Sequence, residues 1–210
     1  MLIVALALLA AGGYLLARAV TSKPQQPPLA AQAIPRSVPT TPPPSPRVSP
    51  SPGKKGAAKL APSKPVRLVI PAISVNAPVE VLGLNPDKTV QVPPLGDHNL
   101  AGWYDGSVTP GQRGPSVLLG HVDNYQGASV FFNLKLLKKG DAVSVILADG
   151  KTVKFAVDGT QQALKTAFPT AKVYGKTSYP ALRLVTCGGA FDSATGSYVS
   201  SIIVYAHMVN

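Results

Sequence analysis

Only one cysteine, Cys187, occurs in the 210 residues, so no intramolecular disulfide can form. An unpaired thiol then matters for its reactivity. Acidic residues are scarce, nine against 20 Lys and Arg, and residues 1–66 contain none. That stretch holds eight basic residues, giving it a net charge of +8 and leaving +3 for the remainder. Nucleic-acid binders usually carry a basic stripe on a folded face, often interleaved with aromatics. Residues 67–210 show lysines singly or in pairs such as Lys138 and Lys139, which argues against nucleic acid as a partner. A basic segment beside an apolar one fits an anionic lipid or wall polymer better. Metal-ligand spacings such as HExxH or paired CxxC are also missing, and neither a metal nor another cofactor is expected.

Residues 2–17 (LIVALALLAAGGYLLA) form an unbroken run of 16 apolar or Gly residues, followed by Arg18. A spanning helix needs about 20 such residues and at least about 17, which the run reaches through Val20 if Arg18 snorkels. Residues 1–20 are therefore expected to be an apolar, membrane-anchoring helix. A cleavable signal, with Ala17 and Ala19 near the cut, is the rival. Arg18 and Lys23 follow the run and only the α-amino group precedes it, which taken literally puts the C-terminal domain in the cytoplasm. An extracytoplasmic domain is expected instead if the true start lies upstream and includes a basic stretch. Residues 21–65, with VPTTPPPSPRVSPSP, are expected to be a disordered spacer in polyproline form. At about 3.1 Å per residue its reach is on the order of 100 Å.

From residue 66 the texture changes. VRLVI (66–70), PVEVLGL (78–84), TVQVP (89–93), SVLLGHV (116–122), AVSVILA (142–148), KTVKFAVDG (151–159), ALRLVTC (181–187) and YVSSIIVYA (198–206) read as strands. They are rich in Val and Ile and bounded by Gly, Pro, Asp and Asn. Asp149-Gly150 between two of them predicts a hairpin. VFFNLKLLKK (130–139), with apolar residues at 131, 132, 134, 136 and 137, predicts a helix. Residues 66–210 are thus expected to form an all-β domain, a closed or nearly closed barrel with one or two short helices.

Cys187 ends an alternating strand and precedes Gly188-Gly189, which leaves its sulfur approachable and the backbone free to turn. Its bland reading is a small buried hydrophobe. A catalytic thiol needs a base or imidazolium nearby, since the thiolate is the nucleophile. His121 ends the strand SVLLGH, whereas His98 sits in a polar loop and His207 in the tail of the last strand. A strand-end histidine is the better partner for a strand-end cysteine. The alternative for His121 is a structural or surface histidine.

These residues carry a resemblance. LLGHVDNYQGASVFFNLKLLKKGDAV, then FPTAKVYG, then LRLVTCGGAFDSATGSYVSSIIVYA resemble a sortase, most of all the class F sortases of actinobacteria. The resemblance spans nearly all of residues 67–210 and includes AGWYDGSVTPGQRGPSV. It implies an eight-stranded sortase barrel, an N-terminal membrane anchor, and a Cys–His–Arg site that cleaves a sorting-signal peptide. An amine of a cell-wall precursor or a pilin would accept the acyl group, outside the cytoplasm, with the enzyme a monomer. Cys187 and His121 fall on the family's cysteine and histidine, and Thr186 and Gly188 flank the thiol as candidate substrate or oxyanion contacts.

The family's arginine lies after the cysteine, and this sequence has no arginine there; Ser193 stands where FDR-like relatives have one. Arg183, on the Cys187 side of the strand by period-two parity, is the substitute candidate. Its alternative is a strand arginine on a solvated wall. Two rivals follow. An L,D-transpeptidase would show an SHGC-like motif with an arginine soon after, which TCGGAFDS lacks. A catalytically impaired sortase-fold protein that binds peptide or scaffolds the wall is motivated by the missing arginine.

Overall fold

The computed structural model describes residues 61–210; the expected anchor at 1–20 and residues 21–60 of the expected spacer lie outside them. The chain runs through β1 (Pro65–Ile70), β2 (Val75–Leu82), β3 (Ala101–Tyr104), β4 (Gly114–Gly120) and two short strands, β5 (Asp123–Asn124) and β6 (Gly127–Ala128). It continues through β7 (Ala142–Leu147), β8 (Thr152–Leu164), the single-turn helix α1 (Thr170–Tyr174), β9 (Pro180–Asp192) and β10 (Ser197–Val209). Eight strands close a barrel in the order β1–β2–β3–β4–β9–β10–β8–β7, and β5 pairs with β6 apart from it. The β2–β3 and β4–β9 pairs are parallel; the other barrel pairs are antiparallel.

Burial follows strand parity. β7 alternates in the manner of a strand with one wet face, and its Val143, Val145 and Leu147 join Leu68, Ile70, Phe155, Leu182, Leu184, Ile202 and Val204 inside the barrel. β4, β9 and β10 are buried on both faces, which is why VLL (117–119) and IIVYA (202–206) read as continuous apolar runs, while in β9 the run is broken by Arg183, itself buried. Their outer faces form a second cluster of Val117, Leu119, Val185, Ile203 and Tyr205, roofed by Val173 of α1. The sheet wall that ends at the groove described below is therefore packed on both sides.

Two expectations are corrected. TVQVP contributes only an isolated bridge between Leu84 and Val90, and the place in the barrel belongs to AGWY at 101–104. The segment 130–139 forms a short 3-10 turn at Leu134–Leu136 and no α-helix. Its fully buried residues are Phe131, Leu134 and Leu137, a spacing of three that matches the tighter helix. The amide of Ala148 donates to the Lys64 carbonyl at 2.8 Å, and that of Asp149 to Ser63 Oγ at 3.2 Å, so residues 63 and 64 are tied to the β7–β8 turn. Among the described residues no helix is long and apolar enough to cross a membrane.

Candidate active site

β4 and β9 run side by side in parallel, with Leu119 opposite Val185 as the last pair of their ladder. Continuing that register by two residues sets His121 opposite Cys187. Neighbouring strands lie about 4.8 Å apart, so the sequence order Leu-Gly-His and Val-Thr-Cys brings an imidazole and a thiol to one end of the wall. Gly120 allows this exit: a Cβ there would stand 2.6 Å from Val130 Cγ1 and 2.8 Å from Phe131 Cδ2. Phe131 is fully buried, so the backbone must pass it without a side chain.

On the cysteine side, Cys187 pairs with Ser201 of β10 and is half-buried. Just beyond it the register shifts, with Gly189 and Ala190 opposing Val199 between the pairs Gly188–Ser200 and Phe191–Tyr198. Gly189 has φ +79°, the left-handed conformation such a bulge requires. The second glycine of Cys-Gly-Gly thus bends the strand next to the thiol.

His121 and Cys187 line one groove of about 890 Å³, a volume typical of ligand sites. Leu95, Asp123, Asn124, Phe191 and Tyr198 contribute to its walls. His121 Nε2 lies 2.7 Å from the Pro93 carbonyl oxygen. A carbonyl has no proton to give, so Nε2 carries the hydrogen and Nδ1 is left to take or release a proton. Asn124 Nδ2 donates to the Leu95 carbonyl at 2.7 Å, and together these bonds hold the β2–β3 connection against the groove. The Tyr198 hydroxyl donates to Asp123 Oδ2 at 2.5 Å, with both residues buried. Burial first, then the Asp123 bond and the negative charges of Asp123 and Cys187, pushes the phenol far above its usual range, so it stays a neutral donor.

Of the three histidines, only His121 lines the groove with Cys187. His98 borders a separate cleft beside Ser74 and Phe132, and His207 Nδ1 pairs with Asp158 Oδ1 at 2.6 Å on another face. Thr186 is not a wall of the groove: it has the parity of Leu182 and Leu184, and its buried Oγ1 has no hydrogen-bond partner. Gly188, paired with Ser200, sits directly beside the thiol. Among the described residues no group of three or more His, Cys, Asp or Glu is placed to hold a metal ion.

Arg183 does not enter the groove. Parity does put it on the outer face with Val185 and Cys187, but four residues at about 3.3 Å each leave about 13 Å between the Arg183 and Cys187 backbones. Its side chain runs the other way. Nε donates to the Lys172 carbonyl of α1 at 3.1 Å, and Nη1 to the carbonyls of Leu182 at 3.0 Å and Ala206 at 3.5 Å. The guanidinium carbon lies 4.9 Å from the centroid of the Tyr205 ring. At 4% exposure this is a buried cation that clasps α1 to β9 and β10, and not a solvated wall residue. Arg183→Ala is expected to lower the unfolding free energy by about 2–3 kcal/mol, the range for losing hydrogen bonds to a buried charge. Turnover per folded molecule should hold near wild type. Denaturant melts alongside active-site titration check this, and a large kcat loss at unchanged stability would return Arg183 to the chemistry.

Sequence reasoning did not pick out Asp123, Tyr198 or Pro93. The His-Val-Asp spacing was visible, but a hydrogen-bond partner 75 residues away was not.

Comparison with known proteins agrees with the barrel fold. The Sortase domain family model matches residues 68–209. Sortase C-1 from Actinomyces oris is similar at 26% identity and a TM-score of 0.54, over 70% of this chain and 76% of that one. Sortase A from Corynebacterium diphtheriae is similar at 23% identity and 0.53, over 71% of this chain and 62% of that one. This chain therefore spans less than two thirds of the length of that relative. Sortase C1 from Streptococcus suis is similar at 21% identity and 0.53, over 70% of this chain and 74% of that one. No curated protein sequence matches. With the family model covering well over half of its residues, the chain belongs to the sortase family.

Proposed function

We propose that this protein is a class F sortase that acts outside the cytoplasm as a cysteine transpeptidase. The observation that supports the reading most is the convergence of His121 and a half-buried Cys187 on one groove. The Cys187 thiolate attacks the carbonyl before the scissile bond of an extended sorting-signal peptide. The C–N bond breaks, and Nδ1 of His121 gives its proton to the departing amine. The thioester left on Sγ is then attacked by a second amine, from a wall precursor or pilin. That amine returns a proton to His121 as the thiolate leaves. Arg183 is engaged elsewhere, so the developing oxyanion falls to backbone N–H donors around Gly188. Residues 2–20 hold the enzyme to the membrane and residues 21–65 space it from the surface.

A second reading keeps the groove but not the turnover: a sortase-fold protein that binds peptide or scaffolds the wall. It draws on the sequence having no arginine after Cys187 and on the absence, among the described residues, of any Arg or Lys from the walls of the Cys187 groove. Incubating the protein with a library of sorting-type peptides and hydroxylamine separates the two. A transpeptidase gives peptide hydroxamates and a thioester adduct on Cys187 that mass spectrometry detects. Peptide binding with no adduct under any sequence would leave the scaffold reading standing.

A further inference from the structure

The parallel ladder between β4 and β9 stops at Leu119–Val185, two residues short of His121 and Cys187. The β4–β9 pairing therefore aims the two reacting side chains at one another without joining them. Cys187 is held by its ladder to Ser201 of β10, and the His121 carbonyl accepts from the Phe131 amide at 3.0 Å, but neither bond ties one residue to the other. Two side-chain bonds of the His121 segment, from His121 to Pro93 and from Asn124 to Leu95, run to the β2–β3 connection. The bond from Asp123 runs the other way. It reaches Tyr198 at the start of β10, three residues before Ser201, the cross-strand partner of Cys187.

We propose that Asp123 and Tyr198 are positioning residues that fix His121 against Cys187, closing the gap where the β4–β9 ladder ends. The inference rests on reading the groove as a cysteine acyl-transfer site. A continuous loop of structure follows from it: β4 to His121 and Asp123, across to Tyr198, along β10 to Ser201, and back through the ladder to Cys187 on β9. Asp123 is 6% and Tyr198 9% exposed, so water competes little for their bond. The phenol, held neutral, donates throughout the physiological range. Phe191 packs edge-on against the Tyr198 ring with centroids 5.3 Å apart, which steadies the donor at the groove wall. Proton transfer in an acyl-transfer site is sensitive to such placement. A displacement of about 1 Å can cost about 10²-fold in rate.

The test is a double-mutant cycle on the full chain with two readouts, peptide turnover and the rate of Cys187 alkylation by iodoacetamide. Cys187 is the only cysteine, so the mass shift reports it alone. Tyr198→Phe and Asp123→Ala should each lower kcat by about 10²-fold with little change in KM. The double variant should lose no more than either single one. Asp123→Asn, whose amide oxygen still accepts from Tyr198, should recover most of the loss. Alkylation rates should shift in the same direction and by the same amount in both single variants and their double. Wild-type kcat in Tyr198→Phe, additive losses, or Asp123→Asn as poor as Asp123→Ala would each overturn the proposal. Should Tyr198→Phe fail to fold, the comparison of Asp123→Asn with Asp123→Ala carries the test. If wild type turns over no peptide, the transpeptidase reading fails, and the alkylation cycle still decides whether the pair places the thiol.

Discussion

Replacing Cys187 with alanine is expected to abolish thioester formation and peptide turnover together, while the barrel melts within about 1 kcal/mol of wild type. The asymmetry follows from where the sulfur sits. Cys187 is half-buried on a groove wall, so losing one sulfur atom leaves no sealed cavity of the kind that makes core truncations costly. Chemically the loss is complete, because the groove offers no second nucleophile of comparable strength: Ser197 presents a hydroxyl that is far harder to ionise than a thiol. Intact-mass analysis after incubation with peptide, paired with a thermal melt, reads both halves of the result. Residual turnover would remove Cys187 from the mechanism. A melt lowered by several kcal/mol would make it a packing residue.

His121→Gln should lower kcat by about 10²- to 10⁴-fold, the usual contribution of a general acid–base group. Glutamine suits this better than alanine. Its amide can still donate to the Pro93 carbonyl, so the β2–β3 connection keeps its contact, and only the exchangeable proton is lost. The other two histidines cannot substitute, since His207 is paired with Asp158 and His98 borders a different cleft. Single-turnover kinetics should show acylation slowed while peptide binding stays close to wild type. A His121→Gln protein that acylates at the wild-type rate would mean that Cys187 works without an imidazole, and the proposed mechanism would fall.

Much of the barrel was legible because its walls obey short-range rules. Val- and Ile-rich runs at period two, and the Asp149-Gly150 turn, placed seven of the eight barrel strands to within a few residues. AGWY escaped because a four-residue strand containing glycine carries neither alternation nor β-branched enrichment, and is specified by its neighbours on β2 and β4. The 130–139 segment was misread because apolar residues three apart look helical whether the turn is α or 3-10. In the groove, the strand-end positions of His121 and Cys187 were readable, and their shared register was not, since it depends on a parallel ladder between distant segments. Arg183 shows the limit of parity most clearly. Period two assigns a face, but not a height along the strand or a direction for a long side chain, and the Lys172 carbonyl that captures Arg183 comes from a helix the sequence did not reveal.

The position of β10 in the chain sets the order in which this groove can come into being. Barrel closure needs β10 between β9 and β8, and the groove needs it twice, for the strand beside Cys187 and for Tyr198. Neither exists until the last strand of the barrel has been made. Domains dominated by such distant pairings fold in about milliseconds to seconds, slowly for their size. Until then Cys187 belongs to a loose chain with no imidazole set against it, so the nascent protein carries an ordinary thiol and no assembled acyl-transfer site. For an enzyme proposed to work beyond the membrane, such a delay would let the chain cross before the barrel closes, with the site assembled on the side where the proposed substrates are.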